Sequence, residues 1–522
     1  MTSPMKSSRN LVLTTLVSLV ALSGGLRSAT AQAPAASGQK PKDESVLGEF
    51  IVTGVTEEHI PKIAILPSLS PDYEDVIVRS VIRRDLEISG MFKLISDQDA
   101  PTGAYGFNDP VNVKAWQAKG AEAIVKVAAR KAPGDQIEVI GIAYFPSAGP
   151  EPVYETKLTV SKDLARQTAH RITDDLLGAL TGRPGGFSSR FTFSGAWGRN
   201  RRIFTVDADG YGLSARSDIK ATSIAPAFGP QGDLFYVQSK TWSPFQLFRL
   251  KSGEADGARF EIPYKRSLYG VAFNKGRTRM ALAVSEPEGS AIYVGDPDGK
   301  NMKRASVTEV AIHPVFSPSG KLAWIGGSAE QGGQRVYLEG KAISPSGFSA
   351  YAPTFCDTED GIMLVYAVTV GQKQDLVMSN EKGQGMSRLT QNQGTNAYPA
   401  CSPDGRLLAF FSDRKGESGL YVMSLKRWTT TKVLGTVGET LRWDPIPEAP
   451  RTVVTKPASA TTAAATPSPV AAVPAAPATP TPTPAKPASN PAPATPVKPA
   501  SNPSTPVTPA TTPVVPAKKW AL

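Results

Sequence analysis

The segment His313–Gly320 has the sequence HPVFSPSG, and Tyr398–Gly405 repeats its pattern as YPACSPDG. Ala225–Gly232 (APAFGPQG) and Gly270–Gly276 (GVAFNKG) also share the pattern closely. Two less regular copies are Ala352–Phe355 (APTF, with its glycine delayed to Gly361) and Leu441–Pro445 (LRWDP). The central residues of the copies recur every 39 to 46 positions: Phe228, Phe273, Phe316, Phe355, Cys401 and Trp443. One four-stranded propeller blade occupies roughly 40–45 residues. The repeat therefore predicts six blades of a β-propeller.

The residues within each repeat fit one blade. The Pro-x-Gly that often follows the central residue predicts a tight turn, and apolar stretches such as Leu407–Phe411 predict the next strand. Little sequence follows Trp443, so we expect strands at Phe191–Trp197 and Arg202–Val206 to complete the last blade. That pairing would close the ring without a long open edge. The alternative, an all-β sandwich, would lack this long period. The mainly β propeller is expected over 186–448.

The two ends of the chain differ in composition from the repeats. Lys6 and Arg9 precede the apolar run Leu11–Leu22, which predicts a secretory signal over 1–31, with a mature start at Gln32 or Pro34. The alternative is a membrane anchor, but a spanning helix needs about 20 apolar residues. We expect a flexible segment at 32–47 and a disordered Pro/Ala/Thr-rich tail at 449–522.

The net charge of +11 comes mostly from these ends. The tail carries six basic residues and no acidic one, and the signal region carries three more: Arg451, Lys456, Lys486, Lys498, Lys518, Lys519, and Lys6, Arg9, Arg27. The remainder of the chain is close to neutral, which argues against nucleic-acid binding despite the high pI.

Residues 48–183 have a mixed α/β pattern, which predicts a small separate domain. The apolar periodicity predicts helices at Tyr73–Ser89 and at Ser161–Leu180, with Ser161 as the N-cap and Gly182 as the stop. The predicted strands are Glu49–Val52, Lys62–Leu66, Phe92–Ile95, Ala123–Val127, Gln136–Ala143 and Lys157–Val160.

This order of a signal peptide, an α/β domain and a six-bladed propeller resembles the TolB family of the Tol–Pal system. The resemblance is closest at Ile51–Pro67, at Lys157–Gly182 and at Arg202–Tyr211, and it extends over roughly Gly48–Pro445. It implies a periplasmic protein that binds the peptidoglycan-associated lipoprotein Pal through its propeller and supports outer-membrane integrity and cell division. It also implies a TolA contact near Gly48–Thr56, although here the stretch Pro34–Ser45 precedes that segment. The Pro-rich tail is outside the family pattern.

A propeller-associated serine peptidase and a propeller that binds carbohydrate or another envelope ligand are the alternatives. No Gly-x-Ser-x-Gly elbow occurs, and the three histidines, His59, His170 and His313, lie in different contexts. We expect His170 to be solvated on a polar helix face. We expect no enzyme activity, no catalytic residue and no cofactor.

Metal binding and a disulfide are likewise not expected. Two Asp-x-Asp-Gly turns, at Asp207–Gly210 and Asp296–Gly299, superficially resemble calcium loops but lack the further ligands and the distal Glu. Hairpin chemistry explains them sufficiently. Cys356 and Cys401 occupy neighbouring positions of adjacent blades, but a disulfide needs Cα atoms within about 7 Å and inner strands should diverge. A bond is conceivable but disfavoured.

The expected partner-binding site is one mouth of the propeller. Residues just before each inner strand converge on the central channel, and Tyr and Arg are common at binding hot spots. The alternative for each tyrosine singly is packing in the channel wall. The predicted site comprises Arg266, Ser267, Tyr269, Gly270, Ile312, His313, Tyr351, Asn396 and Tyr398.

Overall fold

The computed structural model describes residues 59–68, 72–240, 243–327 and 333–446. The predicted signal peptide (1–31), the segment 32–47, the strand Glu49–Val52, the expected TolA contact Gly48–Thr56 and the tail at 449–522 lie outside these ranges. None of the helices within the described ranges is both long enough and apolar enough to span a bilayer.

The N-terminal region is an α/β domain built on one five-stranded sheet. Its strands are β1 (Lys62–Ile65), β2 (Lys93–Leu94), β3 (Ala123–Ala132), β4 (Gln136–Tyr144) and β5 (Tyr154–Ser161). Its helices are α1 (Tyr73–Ser89), α2 (Val113–Ala118) and α3 (Ala165–Thr181), with 3₁₀ turns at Asp97–Asp99, Pro146–Ala148 and Lys162–Leu164. The sheet order is β2-β1-β3-β4-β5, in which β1 runs parallel to β2 and β3 and the other pairs are antiparallel.

The two long helices end as their glycines predict, but α3 begins later than expected. Gly90 follows α1 with φ 63°, and Gly182 follows α3 with φ 80° and donates its N–H to Gly178 O at 2.9 Å. The predicted cap at Ser161 is wrong, since its hydroxyl donates to Asp163 and accepts no backbone N–H. A 3₁₀ turn therefore separates β5 from α3. The helix α2 was not predicted, because six residues are too few to show a period.

The remaining described residues form six four-stranded antiparallel sheets, and the predicted six-bladed propeller is confirmed. Blade 1 consists of β9 (Thr222–Phe228), β10 (Leu234–Ser239), β11 (Gln246–Leu250) and β12 (Ala258–Arg259). Blade 2 consists of β13 (Leu268–Phe273), β14 (Met280–Glu286), β15 (Gly289–Gly295) and β16 (Lys303–Arg304). Blade 3 consists of β17 (Val310–Phe316), β18 (Leu322–Gly327), β19 (Arg335–Leu338) and β20 (Lys341–Ala342).

The last three blades complete the ring. Blade 4 consists of β21 (Ala350–Thr358), β22 (Gly361–Val370), β23 (Lys373–Asn380) and β24 (Ser387–Arg388). Blade 5 consists of β25 (Asn396–Cys401), β26 (Leu407–Ser412), β27 (Gly419–Ser424) and β28 (Thr430–Leu434). Blade 6 consists of β29 (Glu439–Pro445), β6 (Ser189–Trp197), β7 (Asn200–Asp207) and β8 (Ser214–Ala215).

Blade 6 joins the end of the propeller to its beginning, as the sequence predicts. Strand β29 pairs with β6, and Trp443 lies opposite Phe191 with their ring centroids 4.4 Å apart. The indole Nε1 of Trp443 also donates to Ser189 Oγ at 2.7 Å. All six central residues of the repeats are buried, and Phe273, for example, packs 4.9 Å from Phe235 of the preceding blade.

The expectation that a disulfide is disfavoured is wrong. Cys356 on β21 and Cys401 on β25 form a disulfide, with their Cα atoms 5.3 Å apart. The inner strands of neighbouring blades lie side by side around the channel, and β21 and β25 are in contact there. The two cysteines lie in this close region, within an apolar cluster that includes Leu408 and Phe410.

Candidate functional site

A backbone irregularity recurs in the inner strands. Five residues in them have φ between 46° and 55° although none is glycine: Ala225, His313, Ala352, Tyr398 and Thr440. Each lies three residues before the central residue of its repeat, and blade 2 has Gly270 at this position. Each inner strand also shifts register against its neighbour at or next to this point. Bulges of this kind re-aim side chains and occur often beside functional sites.

These bulged positions surround the central channel. A Cβ placed on Gly270 would lie 3.6 Å from Pro314 Cδ and 3.9 Å from Ala225 Cβ, so the inner strands of blades 1, 2 and 3 meet here. Consecutive inner strands contact one another around the whole ring. The bulged position holds alanine or glycine in blades 1, 2 and 4, and a polar residue in blades 3, 5 and 6.

One turn of blade 2 reaches across the channel at the end where the inner strands finish. This turn, Asn274–Arg279, joins β13 to β14. Lys275 Nζ lies 3.2 Å from Asp357 Oδ2 of blade 4, and Arg277 forms an ion pair with Asp444 of blade 6. Each pair joins blades that are not neighbours. We call this end of the channel, which the two ion pairs cross, the floor. The opposite end, where the inner strands begin, is the mouth.

The α/β domain contacts the propeller on the floor side. Arg183 Nη2 donates to Asp357 O at 2.7 Å in blade 4, and Arg406 Nη2 of blade 5 donates to Thr181 Oγ1 at 2.9 Å. Arg166 of α3 forms an ion pair with Asp209 in the turn between β7 and β8 of blade 6. The domain thus packs on blades 4 to 6 and leaves the mouth on the far side.

The same interface contains a buried ionic cluster, and the expectation that His170 is solvated is wrong. His170 has a side-chain exposure of 1%, and its Nδ1 lies 2.8 Å from Asp85 Oδ2 while Nε2 lies 4.0 Å from Asp209 Oδ1. Burial alone would lower the pKa of His170, but the carboxylates of Asp85 and Asp209 outweigh it and raise the pKa to about 9. The polar helix face that predicted solvation is covered by α1 and by the turn of blade 6 that carries Asp209.

Asp85, His170 and Asp209 could also be considered as metal ligands, because their ligand atoms lie within 4.8 Å of one another. Asp209 is already paired with the guanidinium of Arg166, and Thr173 Oγ1 donates to Asp85 Oδ2 at 2.9 Å. Two cationic side chains thus balance two carboxylates. The donor set fits an ion-pair network between the domains better than a metal centre.

The three tyrosines of the predicted site lie half-buried in different inter-blade clusters. Tyr269 packs with the cluster around Trp324, Tyr351 with the disulfide cluster, and Tyr398 with the cluster around Trp443. Burial, with a smaller contribution from Glu439, raises the pKa of the Tyr398 phenol. Each tyrosine therefore has a packing role, and part of each side chain stays accessible.

The other predicted site residues differ in accessibility. Arg266 is exposed, Ser267 and Ile312 are half-buried, and Gly270 is buried in the ring. The hydroxyl of Ser267 accepts the N–H of Phe245 at 3.1 Å. Within the predicted set, Arg266 is thus the most open to solvent.

Asn396 is fully buried and engaged inside the propeller. Its Oδ1 accepts from Ser412 Oγ at 2.9 Å and from Arg414 Nη2 at 3.2 Å, and its Nδ2 donates to Gly394 O at 3.3 Å. The amide therefore fixes the loop before β25 and the turn after β26. Any contribution of Asn396 to a partner surface is indirect.

Sequence reasoning missed an apolar rim around the mouth. Trp197 is 45% exposed, Ile219 52% and Val437 48%. Trp197 ends β6 before its hairpin turn, and the other two lie in segments leading into inner strands, so all three lie at the mouth end of their sheets. Their position before an inner strand or inside a hairpin could have identified them.

Comparisons with known proteins agree with this architecture. A family model described as the TolB amino-terminal domain matches residues 51–141, and one described as the TolB beta propeller domain matches residues 275–445. Together the two matches account for half of the chain. Among solved structures, TolB from Acinetobacter baumannii has a TM-score of 0.62 over 74% of this chain and 97% of that chain. At 21% sequence identity this likeness shows a shared fold.

Two relatives found by sequence are TolB proteins. The Tol-Pal system protein TolB of Dinoroseobacter shibae is 27% identical over 233 residues, which are 43% of this chain and 52% of that protein. The Tol-Pal system protein TolB of Dechloromonas aromatica is 30% identical over 207 residues, which are 39% of this chain and 47% of that protein. The chain thus spans about half the length of the curated relatives it matches. With both family domains matched in the order in which the fold presents them, the chain belongs to the TolB family.

Proposed function

We propose that this protein is a periplasmic component of the Tol–Pal system that binds a Pal-like peptidoglycan-associated lipoprotein at the mouth of its propeller. In this role it would support outer-membrane integrity and cell division, and it would contact TolA through Gly48–Thr56. The observation that carries the proposal is the mouth itself, where exposed apolar side chains and half-buried tyrosines lie on the side opposite the α/β domain.

The composition of the mouth suits a protein partner. Soluble proteins rarely expose clustered apolar side chains without a function, and Tyr and Trp dominate the buried centres of protein interfaces. Trp197 and Val437 supply exposed apolar area at the rim, and Arg266 adds an exposed guanidinium. A partner that covered this rim would bury apolar area and engage the tyrosines near the channel.

A binding role is favoured over hydrolysis by the surroundings of two histidines. His59 Nε2 lies 2.7 Å from Glu122, and His170 pairs with Asp85 inside the domain interface. Both imidazoles therefore contact carboxylates, and neither contacts the nucleophilic hydroxyl or thiol that a hydrolase of this kind would need.

The test is titration of the soluble domain of a Pal-like lipoprotein against the full chain and a variant with Tyr269, Tyr351 and Tyr398 replaced by Ala. We expect the affinity to fall by at least about 30-fold, since hot-spot truncations cost about 2 kcal/mol or more. Tyr73→Ala is the matched control, because Tyr73 is exposed on the α/β domain away from the mouth.

Because the three tyrosines also pack between blades, a second variant with Trp197→Ser and Val437→Ser alters only exposed side chains. It should also weaken binding while the melting temperature stays unchanged. Unchanged affinity in this variant and in a folded triple variant would refute the mouth as the site. Binding of soluble peptidoglycan fragments with no binding of the lipoprotein domain would instead favour a carbohydrate-binding propeller.

A further inference from the structure

One arginine faces the channel without an ion pair within the described ranges. Arg442 lies on the inner strand β29, and its only direct hydrogen bond among the described residues runs from Nη1 to Leu441 O at 3.2 Å. The nearby carboxylate of Asp444 is already paired with Arg277. Burial lowers the pKa of the Arg442 guanidinium, and Asp444 offsets this only in part. An unpaired guanidinium in a partly desolvated site is costly, which favours binding of an anion.

His313 locates this charge inside the channel. His313 lies on β17 of blade 3, and blade 3 is opposite blade 6 in a six-bladed ring. Burial, and then the positive charge of Arg442, lower the pKa of His313 to about 4. Leu441 and Trp443 pack into the apolar cluster beside β29, so Arg442 lies on the other side of this strand with Asp444, whose carboxylate meets Arg277 from across the ring. His313 occupies the bulged position of its inner strand on the opposite blade. At neutral pH the imidazole is uncharged and can donate one hydrogen bond.

The charge around these two residues is unbalanced. Arg277 and Asp444 neutralise each other, and so do Lys275 and Asp357 in the floor. Nearer the mouth, Arg201 pairs with Glu439 at 2.7 Å. Arg442 therefore contributes one uncompensated positive charge above the floor, and the bulged positions of blades 1, 2 and 4 carry only alanine or glycine.

We propose that the propeller channel is an anion-binding pocket in which Arg442 pairs with the carboxylate of an Asp or Glu side chain that a protein partner inserts through the mouth, while His313 donates a hydrogen bond to it. This inference rests on the proposed function, since it defines the chemistry of the partner that the mouth receives. The apolar rim favours a protein over a free anion, because a small anion would gain nothing from the rim.

The first experiment needs no identified partner. The peptides Gly-Gly-Asp-Gly-Gly and Gly-Gly-Asn-Gly-Gly, amidated and acetylated at their ends, are titrated into the full chain while the His313 imidazole is followed by NMR. We expect the Asp peptide to shift the His313 signals and the Asn peptide to leave them unchanged. Equal responses to the two peptides would overturn the inference, and this outcome does not depend on any variant folding.

The second experiment compares Arg442→Gln and Arg442→Lys with the wild type in binding the soluble domain of a Pal-like lipoprotein. We expect at least about 30-fold weaker binding for Arg442→Gln and a smaller loss for Arg442→Lys, which keeps the charge but not the planar fork. Arg259→Gln is the matched control, because Arg259 is an exposed arginine on the outer strand of blade 1. Neutralising the inserted partner acid should weaken binding to the wild type but not to Arg442→Gln.

The two levels of the proposal can fail separately. If the mouth variants lose binding but Arg442→Gln, shown to be folded by circular dichroism, binds like the wild type, the anion pocket is refuted and the proposed function stands. If the lipoprotein domain does not bind at all while the Asp peptide responds, the proposed function fails and the pocket is retained.

Discussion

Replacing His170 by Gln should destabilise the protein through the charge that it leaves behind. In the native structure Asp85 has no exposure, and His170 Nδ1 is 2.8 Å from its carboxylate. Removing one partner of a buried ion pair typically costs about 3–5 kcal/mol. The pKa gives a similar figure, because a rise from 6.5 to about 9 corresponds to roughly 3 kcal/mol at 1.36 kcal/mol per pKa unit.

The sign of the pH dependence follows from the same values. The pKa of His170 is higher in the folded state than in the unfolded state, so its stabilisation is complete below pH 6.5 and is lost as the pH rises through about 9. Urea unfolding at pH 6 and at pH 10 should show a loss of about 3 kcal/mol in the wild type that is absent in His170→Gln. Other groups that titrate in this range cancel in the difference between the two proteins.

His59→Gln is the matched control for this substitution. His59 also pairs with a carboxylate, but its side chain is 74% exposed, and exposed ion pairs contribute at most about 1 kcal/mol. A free energy of unfolding that falls by less than 1 kcal/mol in His170→Gln, together with an equal pH response in the two proteins, would refute the assignment of a charged His170 in the domain interface.

Two further predictions concern the propeller. The disulfide between Cys356 and Cys401 closes a loop with a sequence separation of 45. Replacing both cysteines by Ala should therefore lower the free energy of unfolding by about 4 kcal/mol. Free thiols in the denatured, unreduced wild type would contradict the bond. In thermal melts, Gly405→Ala should lower the melting temperature more than Gly320→Ala. A Cβ at Gly405 would overlap Asp357 O, whereas Gly320 has open space and a similar φ. Equal decreases in melting temperature would refute the role of this contact.

The repeats carry most of the information about the propeller. The central residue of each repeat must be apolar because it is buried, and the turn after it must tolerate positive φ. The spacing and type of these residues were therefore sufficient to predict six blades and the closure of the ring by β6 and β7. The helices α1 and α3 were visible for a similar reason, since each shows one continuous apolar face and a terminal glycine. Features that repeat, or that depend on neighbours in the chain, can be recognised in a single sequence.

The predicted mouth was only partly accessible to this reasoning. The sequence places Tyr269, Tyr351 and Tyr398 near inner strands, but it gives no sign that each also packs between blades. It could not show that the Asn396 side chain accepts hydrogen bonds from Ser412 and Arg414, because those partners lie 16 and 18 residues further on, in the next strand and turn.

By itself, the sequence determined the number of blades, their closure and the order of the two domains, because these follow from local patterns of burial and turn formation. Tertiary structure alone decided the burial of His170, because the polar face of α3 is covered by α1 and by a turn of blade 6. It also decided the disulfide and the placement of Arg442 and His313 on inner strands of opposite blades. Both depend on how closely inner strands from different blades approach around the channel, and that distance is set by ring closure rather than by any one repeat.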